Sequence, residues 1–343
     1  MNKSIFSRER LAEIVQKLPD ARVCVLGDLC LDMYLYADMK KSVLSRETPH
    51  YPLPVVREVC SPGGGGNVCG NVWALGAQLF PVSVIGNDWR GYLLKKAFAE
   101  RGISVSGIIE SESFLTPAYV KPIRMGISDV MYEDPRLDFE NRAPLSEKDE
   151  NALLDALYSA AEKVNVIAVA DQMDCGVITD KVRGALFALS KTKTVLVDSR
   201  SKLKMYLKGG ILLKPNEVEA ARAAGETPAP NEDFMTFYTR VGEKLAAENH
   251  APVIMTLGDK GAMWCENGAP EYVSTVKAEP PIDIVGCGDT FLSALCCMIS
   301  VGIRGKEALA FANLASAVTV KKIGTTGTAS ADEILQKWEA LYA

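Results

Sequence analysis

Short apolar runs alternate with longer segments of helical periodicity along most of the chain. The runs indicate buried strands because they are short, rich in apolar residues and mostly closed by glycine or a charged residue. They cover residues 22–27, 80–86, 164–170, 194–198, 210–214 and 252–258. Apolar positions with helical spacing occupy residues 4–18, 66–75, 90–101, 147–163, 179–190 and 216–224. This α/β alternation predicts a central, mostly parallel sheet with helices on both faces.

Two segments, residues 33–61 and 116–140, interrupt the alternation because neither has a helical period. They contain extended runs at 51–59 and 118–124, and their prolines are typical of edge strands and turns. We expect both segments to form a small β-strand lid beside the main sheet. A plain linker is the alternative, which their aromatic and β-branched content disfavours. The chain is therefore expected to be a single domain over residues 1–343, with the two lid segments inserted in it.

Composition excludes several classes of function. The 343 residues are 48% hydrophobic and 24% charged, which is typical of a folded globular protein. With 38 basic and 43 acidic residues the net charge is −5, which disfavours a broad nucleic-acid or anionic-membrane surface. No apolar run is long enough to span a bilayer, and no signal peptide is evident. We expect a cytoplasmic protein with no nucleic-acid or membrane partner.

The side chains available for chemistry are also restricted. Nine cysteines are an odd number, and none forms a pair separated by two residues, so reduced thiols are expected. Two histidines in the whole chain argue against a zinc site or a Ser-His-Asp triad. Any reaction must therefore use carboxylates, backbone amides, lysines or a hard metal ion.

The strongest local signal is the sequence DIVGCGDT at residues 283–290, which precedes an apolar helix. Gly286 and Gly288 flank Cys287 where the helix begins, so backbone N–H groups can point at an anion. Asp289 lies in the first turn, where it could accept a hydroxyl proton while the amides stabilise a phosphoryl group. The simpler alternative is an aspartate favoured there by helix capping and the helix dipole.

A second glycine cluster, PGGGGNVCGN at residues 62–71, opens another helix. It fits neither the dinucleotide fingerprint nor the phosphate-binding loop that ends in Gly-Lys-Ser/Thr, which disfavours a nicotinamide-dependent oxidoreductase. Four consecutive glycines indicate close approach of the backbone to a ligand, or a flexible turn. Asp28 and Asp32 follow the first strand, at the edge where open α/β sheets bind ligands.

Further weak signals follow in a definite order. Asn216 and Glu219 have the spacing of a helix capping box, and TLGDKG at 256–261 is typical of a hairpin. The order of these motifs resembles that of the ribokinase-like, or phosphofructokinase B, carbohydrate kinases. The resemblance extends from about residue 23 to residue 329, with 62–76 and 283–294 matching the two family signatures.

The resemblance implies specific roles. Asp289 would be the catalytic base and the amides of Gly286, Cys287 and Gly288 the anion hole, although Cys287 stands where alanine is usual. Substrate would be held by Asp32, Gly63, Gly64, Asn67 and Asp171. The nucleotide would be bound by Asn216, Glu219, Thr256, Gly258, Gly261 and Asn313. Asn216 and Glu219 would also organise Mg²⁺ through water, and Asp283 with the carbonyl of Val285 would hold a possible K⁺.

Several stretches look most similar to the heptose-phosphate kinases within this family: GDLCLDMYLY, SRETP, RLDFE, VLVDSR and LLKPNE. One departure concerns the loop that begins at Asp171, where Asp174 replaces an expected lysine. A carboxylate there would repel a sugar phosphate by ~1 kcal/mol or more in a partly buried site.

We therefore expect an ATP-dependent kinase that phosphorylates a hydroxyl of a sugar or sugar phosphate, with a heptose 7-phosphate-like acceptor favoured. A fructokinase, ribokinase or nucleoside kinase of the same fold is the alternative, as is a non-catalytic sugar or nucleotide sensor. The expected cofactor is Mg²⁺, with K⁺ as an option. A homodimer formed through the lid is a further expectation.

Overall fold

The structure, a computed structural model, describes residues 5–126, 130–266, 268, 270–275, 278–324 and 326–342. The first residue of the helix expected at 4–18 and residues 127–129 of the expected lid lie outside this set, as do both ends of the expected 1–343 domain.

The described strands form two sheets. In chain order they are β1 Arg22–Gly27, β2 Leu29–Asp38, β3 Val55–Gly64, β4 Gln78–Gly86, β5 Ile108–Ser111, β6 Ala118–Met125, β7 Tyr132–Glu133, β8 Leu137–Phe139, β9 Val166–Asp171, β10 Thr194–Ser199, β11 Leu212–Leu213, β12 Val253–Thr256, β13 Ala262–Cys265 and β14 Glu271–Val273.

The main sheet has nine strands in the order β14-β13-β12-β11-β10-β9-β1-β4-β5. All neighbours from β12 to β5 pair in parallel, whereas β13 and β14 pair antiparallel at one edge. All six residues of β9 are buried, as expected for a parallel strand covered on both faces. Parallel pairing brings the carboxyl ends of β1, β9, β10 and β11 to one edge of the sheet, where polar residues follow each strand.

Ten helices are described, and most begin with a capping side chain. They are α1 Arg8–Lys17, α2 Gly65–Ala74, α3 Trp89–Glu100, α4 Glu147–Ala161, α5 Asp180–Leu189, α6 Glu217–Ala224, α7 Phe234–Asn249, α8 Cys287–Ser300, α9 Gly305–Thr319 and α10 Ala331–Tyr342. Helices α2 and α8 instead begin after Gly64 and Gly286, whose φ angles are 56° and 80°. Because glycine lacks a side chain, both residues adopt these positive φ angles without steric strain.

The helices cover both faces of the main sheet through two separate apolar cores. One core contains Leu11, Val68, Leu292 and Leu309, so α1, α2, α8 and α9 lie on one face. The other core contains side chains of α4, α5, α6 and α7 on the opposite face. None of the helices among the described residues combines the length and the apolar character that a bilayer span requires.

The second sheet is the lid, with the order β3-β2-β6-β7 and with β8 also paired to β6. The expectation that its prolines mark edge strands is wrong for Pro122, because β6 lies between β2 and the pair β7 and β8. The Pro122 carbonyl accepts from the N–H of Asp134. The missing N–H of Pro122 therefore faces the interval between the end of β7 and the start of β8, where β6 has no ladder partner. The expected α/β architecture, a mostly parallel sheet with helices on both faces and a small second sheet, is confirmed.

Asp28 connects the first strand of the main sheet to the loop after β9. Its buried carboxylate accepts from the N–H groups of Gln172 and Met173, both at 2.8 Å, and of Val177 at 2.7 Å. Burial raises the pKa of Asp28 to about 6, while these hydrogen bonds oppose the shift. One side chain therefore fixes the loop that follows Asp171.

We predict that Asp28→Ala lowers the free energy of unfolding by about 2–4 kcal/mol, because three buried donors lose their acceptor. Chemical denaturation measures the change. The control is Asp155→Ala on the exposed face of α4, which should stay within about 0.5 kcal/mol of the parent. Equal effects of the two substitutions would contradict the anchoring role.

Candidate active site

Asp289 lies where the two glycine-capped helices meet. It occupies the first turn of α8, and its Oδ2 accepts a hydrogen bond from Asn67 Nδ2 of α2 at 3.1 Å. The helices are joined further along by Ser293 Oγ, which donates to the carbonyl of Val68 at 3.0 Å. The structure therefore brings together the two glycine motifs that lie more than 200 residues apart in the sequence.

The turn before Asp289 resembles an anion-binding site. Gly286 adopts a left-handed conformation, with Thr326 close to its Cα. Among the described residues, no hydrogen bond is recorded for the backbone N–H of Gly286 or Gly288. The N–H of Cys287, the third amide expected in the anion hole, donates to the carbonyl of Ile284 at 3.2 Å. The Cys287 thiol is directed to the carbonyl of Asp283, so it does not block the two glycine amides.

The electrostatic environment favours Asp289 as a proton acceptor near neutral pH. Burial and the negative charge of Asp198 raise the pKa of Asp289 to about 7, while Asn67 and Lys214 oppose the shift. The side chain is half-buried, so a substrate hydroxyl could reach it. A carboxylate with a pKa near the working pH is an efficient general base, because it combines availability with basicity.

A buried ion pair that the sequence analysis missed stands beside Asp289. Lys214 Nζ lies 2.8 Å from Asp198 Oδ2, and the two side chains are only 4% and 11% exposed. Asp198 ends the apolar run VLVD and Lys214 ends ILLK, so each charge directly follows a buried strand. A charged residue at the end of a buried strand is a signal of a functional site that sequence reasoning could have used. The pairing of β10 with β11, which brings the two charges together, could not be known from one sequence.

Asn216 and Glu219 form a reciprocal capping box at the start of α6. The N–H of Asn216 donates to Glu219 Oε2 at 2.8 Å, and the N–H of Glu219 donates to Asn216 Oδ1 at 2.9 Å. Burial and Asp198 raise the pKa of Glu219, while Lys214 and Arg200 oppose the rise. Asn216 and Glu219 therefore do form a helix capping box. Asp198 and Lys214 also shift the pKa of both Glu219 and Asp289, so Glu219 lies in the same electrostatic environment as Asp289.

Asp32 lies on lid strand β2, directly against the glycine-rich end of β3. A Cβ atom on Gly63 would come 2.5 Å from Asp32 Oδ2, so only glycine permits this contact. Burial raises the pKa of Asp32, and the positive charges of Lys121 and Arg136 oppose the rise. The charge of Asp32 also acts on Asp289. Asp32 and the glycine-rich end of β3 therefore lie on the lid side of Asp289, which Asn67 contacts directly.

Asp171, which is expected to bind substrate, is surrounded by protein donors in this structure. Its side chain is fully buried, and its oxygens accept from Tyr206 at 2.8 Å, Ser199 at 3.1 Å and Lys202 at 3.3 Å. These donors leave Asp171 facing protein. It joins the ends of β9 and β10, and it supports the neighbouring loop.

The residues expected to bind nucleotide lie on the other side of Asp198 and Lys214. Thr256 forms a bridge to Asn216, and its N–H donates to the carbonyl of Pro215 at 3.0 Å. Gly258 and Gly261, with φ angles of 55° and 117°, form the turn between β12 and β13. Asn313 of α9 donates from Nδ2 to the carbonyl of Val273 at 3.3 Å, so it is anchored beside β14.

Asp283 and Val285 lie in the loop before α8. The Asp283 carboxylate accepts from the N–H of Val285 at 3.0 Å and of Gly324 at 2.9 Å, so it holds two loops together. The hydroxyl of Thr326, beside Gly286, is buried and has no hydrogen-bond partner among the described residues. An unsatisfied buried oxygen here is compatible with a cation held by this hydroxyl and by backbone carbonyls.

Comparisons with known proteins show which family the chain is similar to. A family model described as "pfkB family carbohydrate kinase" matches residues 20–332. A "Bifunctional protein HldE" of Geotalea uraniireducens is 32% identical over 332 residues, which are 96% of this chain. The chain spans only 65% of the length of that relative.

Two solved structures share the fold. Phosphofructokinase-2 from Escherichia coli, in complex with substrates and products, has a TM-score of 0.73 at 19% identity and covers 94% of this chain and 99% of its own. Arabidopsis thaliana ribokinase, complexed with ribose and ATP, has a TM-score of 0.69 at 19% identity and covers 92% and 98%. With the family model matching most of its length, this chain belongs to the pfkB family of carbohydrate kinases and is a phosphotransferase with an alcohol group as acceptor.

Proposed function

We propose that the protein transfers the γ-phosphoryl group of ATP to a hydroxyl of a sugar or sugar phosphate, with heptose 7-phosphate-like acceptors favoured. The observation that carries the proposal is the position of Asp289. A half-buried carboxylate with a pKa of about 7 stands beside two N–H groups at a helix start. The heptose preference is supported by the similarity to HldE over nearly the whole chain.

In the proposed reaction Asp289 accepts the proton of the acceptor hydroxyl as its oxygen attacks the γ-phosphorus in line. The N–H groups of Gly286 and Gly288 stabilise negative charge that develops on the transferred phosphoryl oxygens. Asn67 keeps the Asp289 carboxylate oriented, and Asp32 with Gly63 and Gly64 holds acceptor hydroxyls. The protein therefore contributes position and preorganised charge, and no covalent enzyme intermediate is needed.

The proposal includes Mg²⁺ carried with the nucleotide phosphates. Among the described residues, no group of three or more acidic, histidine or cysteine side chains could cage a metal ion. Mg²⁺ usually keeps several waters and takes one or two carboxylates plus phosphate oxygens. Glu219 and Asn216 would hold its waters, and the ion would neutralise phosphate charge. A K⁺ beside Thr326 and the carbonyl of Val285 would add positive charge near the anion-binding turn.

Thr256, Gly258, Gly261 and Asn313 would contact the nucleotide from the side of the sheet that carries β12 to β14. The lid strands would close over the acceptor and exclude water, which limits hydrolysis of ATP.

The free energy required to keep several buried carboxylates together disfavours a non-catalytic sensor of the same fold. Keeping Asp289, Asp198 and Glu219 close together beside a single buried lysine costs free energy that a pure binder does not require. A fructokinase, ribokinase or nucleoside kinase would use the same base. ADP release across heptose 7-phosphate, fructose, fructose phosphates, ribose and nucleosides separates these acceptors from one another and from a sensor.

We predict that Asp289→Asn lowers kcat by about 100-fold or more, because the general base is lost while the side-chain shape is kept. ATP affinity and the melting temperature should change little, since Asn67 can still bond the amide oxygen. Steady-state kinetics and nucleotide titration measure both. A variant with near-normal kcat would remove Asp289 from the mechanism.

The pKa of Asp289 also predicts the pH profile of kcat/KM. Because only ionised Asp289 accepts a proton, kcat/KM should fall as pH drops below about 7 and level off above it. In Asp198→Asn the inflection should move to lower pH, since one charge that raises this pKa is removed. A wild-type profile that is flat from pH 5 to 9 would contradict the assignment.

We further propose a homodimer formed through the lid. Val55, Val56 and Val59 on β3 are 42%, 44% and 39% exposed, and β3 is an edge strand, so apolar side chains and unpaired backbone groups are available together. Light scattering should give twice the chain mass of 37.1 kDa, and Val56→Asp with Val59→Asp should give the single mass. A wild-type monomer at micromolar concentration would refute the dimer.

A further inference from the structure

A cavity of about 450 Å³ lies between the lid and the carboxyl ends of β9 and β10. Tyr119 and Glu140 line its lid side, Asp174 and Cys175 come from the loop after β9, and Arg200 and Arg222 complete the wall. Its volume is within the range of pockets that hold small molecules. The catalytic roles assigned above involve none of these side chains.

The cavity adjoins the acceptor side of the site. Tyr119 is paired with Asp32 across the β2–β6 ladder, so the lid wall of the cavity continues from the residue that would hold acceptor hydroxyls. The opposite wall is fixed by Asp28, which binds the N–H groups of Gln172 and Met173 in the same loop. A ligand bound at Asp32 could therefore extend into this space.

Arg200 and Arg222 are available for a ligand. Within the described part of the chain, neither guanidinium takes part in an ion pair or a hydrogen bond, whereas Arg136 of the lid is paired with Asp138 and stacks on the ring of Tyr119. The backbone N–H of Arg200 donates to the carbonyl of Asp171 at 3.2 Å, which fixes where its side chain begins. The charge of Arg200 acts on Glu219 on one side and on Asp138 on the other.

The acidic side chains of the cavity, Glu140 and Asp174, suit other ligand groups than the two arginines do. Lys202 is already engaged, because its Nζ lies near Asp171 and donates to the carbonyls of Met173 and Asp174. Asp174 Oδ1 accepts only a long hydrogen bond of 3.4 Å from Ser201 Oγ. Carboxylates accept hydrogen bonds from hydroxyl groups, whereas guanidinium groups suit phosphate oxygens, which they can bind in a bidentate manner.

We propose that this cavity is a distal subsite for the acceptor, in which Arg200 and Arg222 bind a phosphate group at the end of the sugar remote from the reacting hydroxyl. Glu140 and Asp174 accept hydrogen bonds from hydroxyls along the sugar chain. The inference rests on the proposed kinase function and adds to it the residues that select a phosphorylated acceptor. It also gives Asp174 a defined effect, since its charge weakens the binding of the same phosphate.

The test compares kcat/KM for each phosphorylated sugar with that for its free counterpart, using heptose 7-phosphate with heptose and fructose 6-phosphate with fructose. In Arg200→Gln and in Arg222→Gln the preference for the phosphorylated member should fall about 10-fold, through KM, because a charged hydrogen bond is lost. Arg200→Lys should recover part of the preference. The control is Arg22→Gln, at the opposite end of β1, which should leave both values unchanged.

Asp174→Asn should change the preference for the phosphorylated sugar in the opposite direction. Removing its charge should strengthen the preference for the phosphorylated sugar by about 2- to 5-fold. Preferences that stay within twofold of wild type in both arginine variants would overturn the distal subsite while leaving the kinase assignment intact. A wild-type enzyme that favours free sugars would do the same. If the wild type releases ADP with none of these acceptors, the proposed function fails and the subsite falls with it.

Discussion

The structure depends on holding several carboxylates close together where water is partly excluded. The negative charge of Asp198 acts on both Asp289 and Glu219, and all three carboxylates act on one buried lysine, Lys214. Burial disfavours each charge, and the lysine and backbone N–H groups offset only part of that cost. The result is a carboxylate whose pKa lies near 7, at a place where peptide N–H groups are also left open.

The topology of the main sheet makes this arrangement possible. Parallel pairing of β9, β10 and β11 brings Asp171, Asp198 and Lys214 to the same edge, although long helical connections separate them in the chain. Helices α2 and α8 approach that edge from one face, and the lid comes from strands that leave the sheet after β1 and β5. Asp289, Asn67, Asp32 and Asp198 therefore each belong to a helix or a strand, as a preorganised phosphoryl-transfer site requires.

Much of the fold could be predicted from the sequence because strands buried on both faces and amphipathic helices carry distinct periods. Six of the nine described strands of the main sheet and the helices α1 to α6 and α8 followed from that pattern, whereas β5, β13, β14, α7, α9 and α10 were not predicted. The glycine signatures drew attention to Asp289 and Asn67. Contacts between strands could not be predicted, so the Asp198–Lys214 pair, the buried position of Asp171 and the occupied N–H of Cys287 appeared only in the structure. Pro122 was misjudged because the interval between β7 and β8 depends on two separate pairings to one strand.

In the proposed reaction the turn at Gly286–Gly288 binds the γ-phosphoryl group, and Asp289 binds the acceptor hydroxyl. A crystal structure with a non-hydrolysable ATP analogue, Mg²⁺ and an acceptor sugar tests it most directly. The account predicts the terminal phosphorus beside the N–H groups of Gly286 and Gly288, with an acceptor hydroxyl at hydrogen-bond distance from Asp289. A terminal phosphate bound elsewhere, with Asp289 contacting neither substrate, would contradict it.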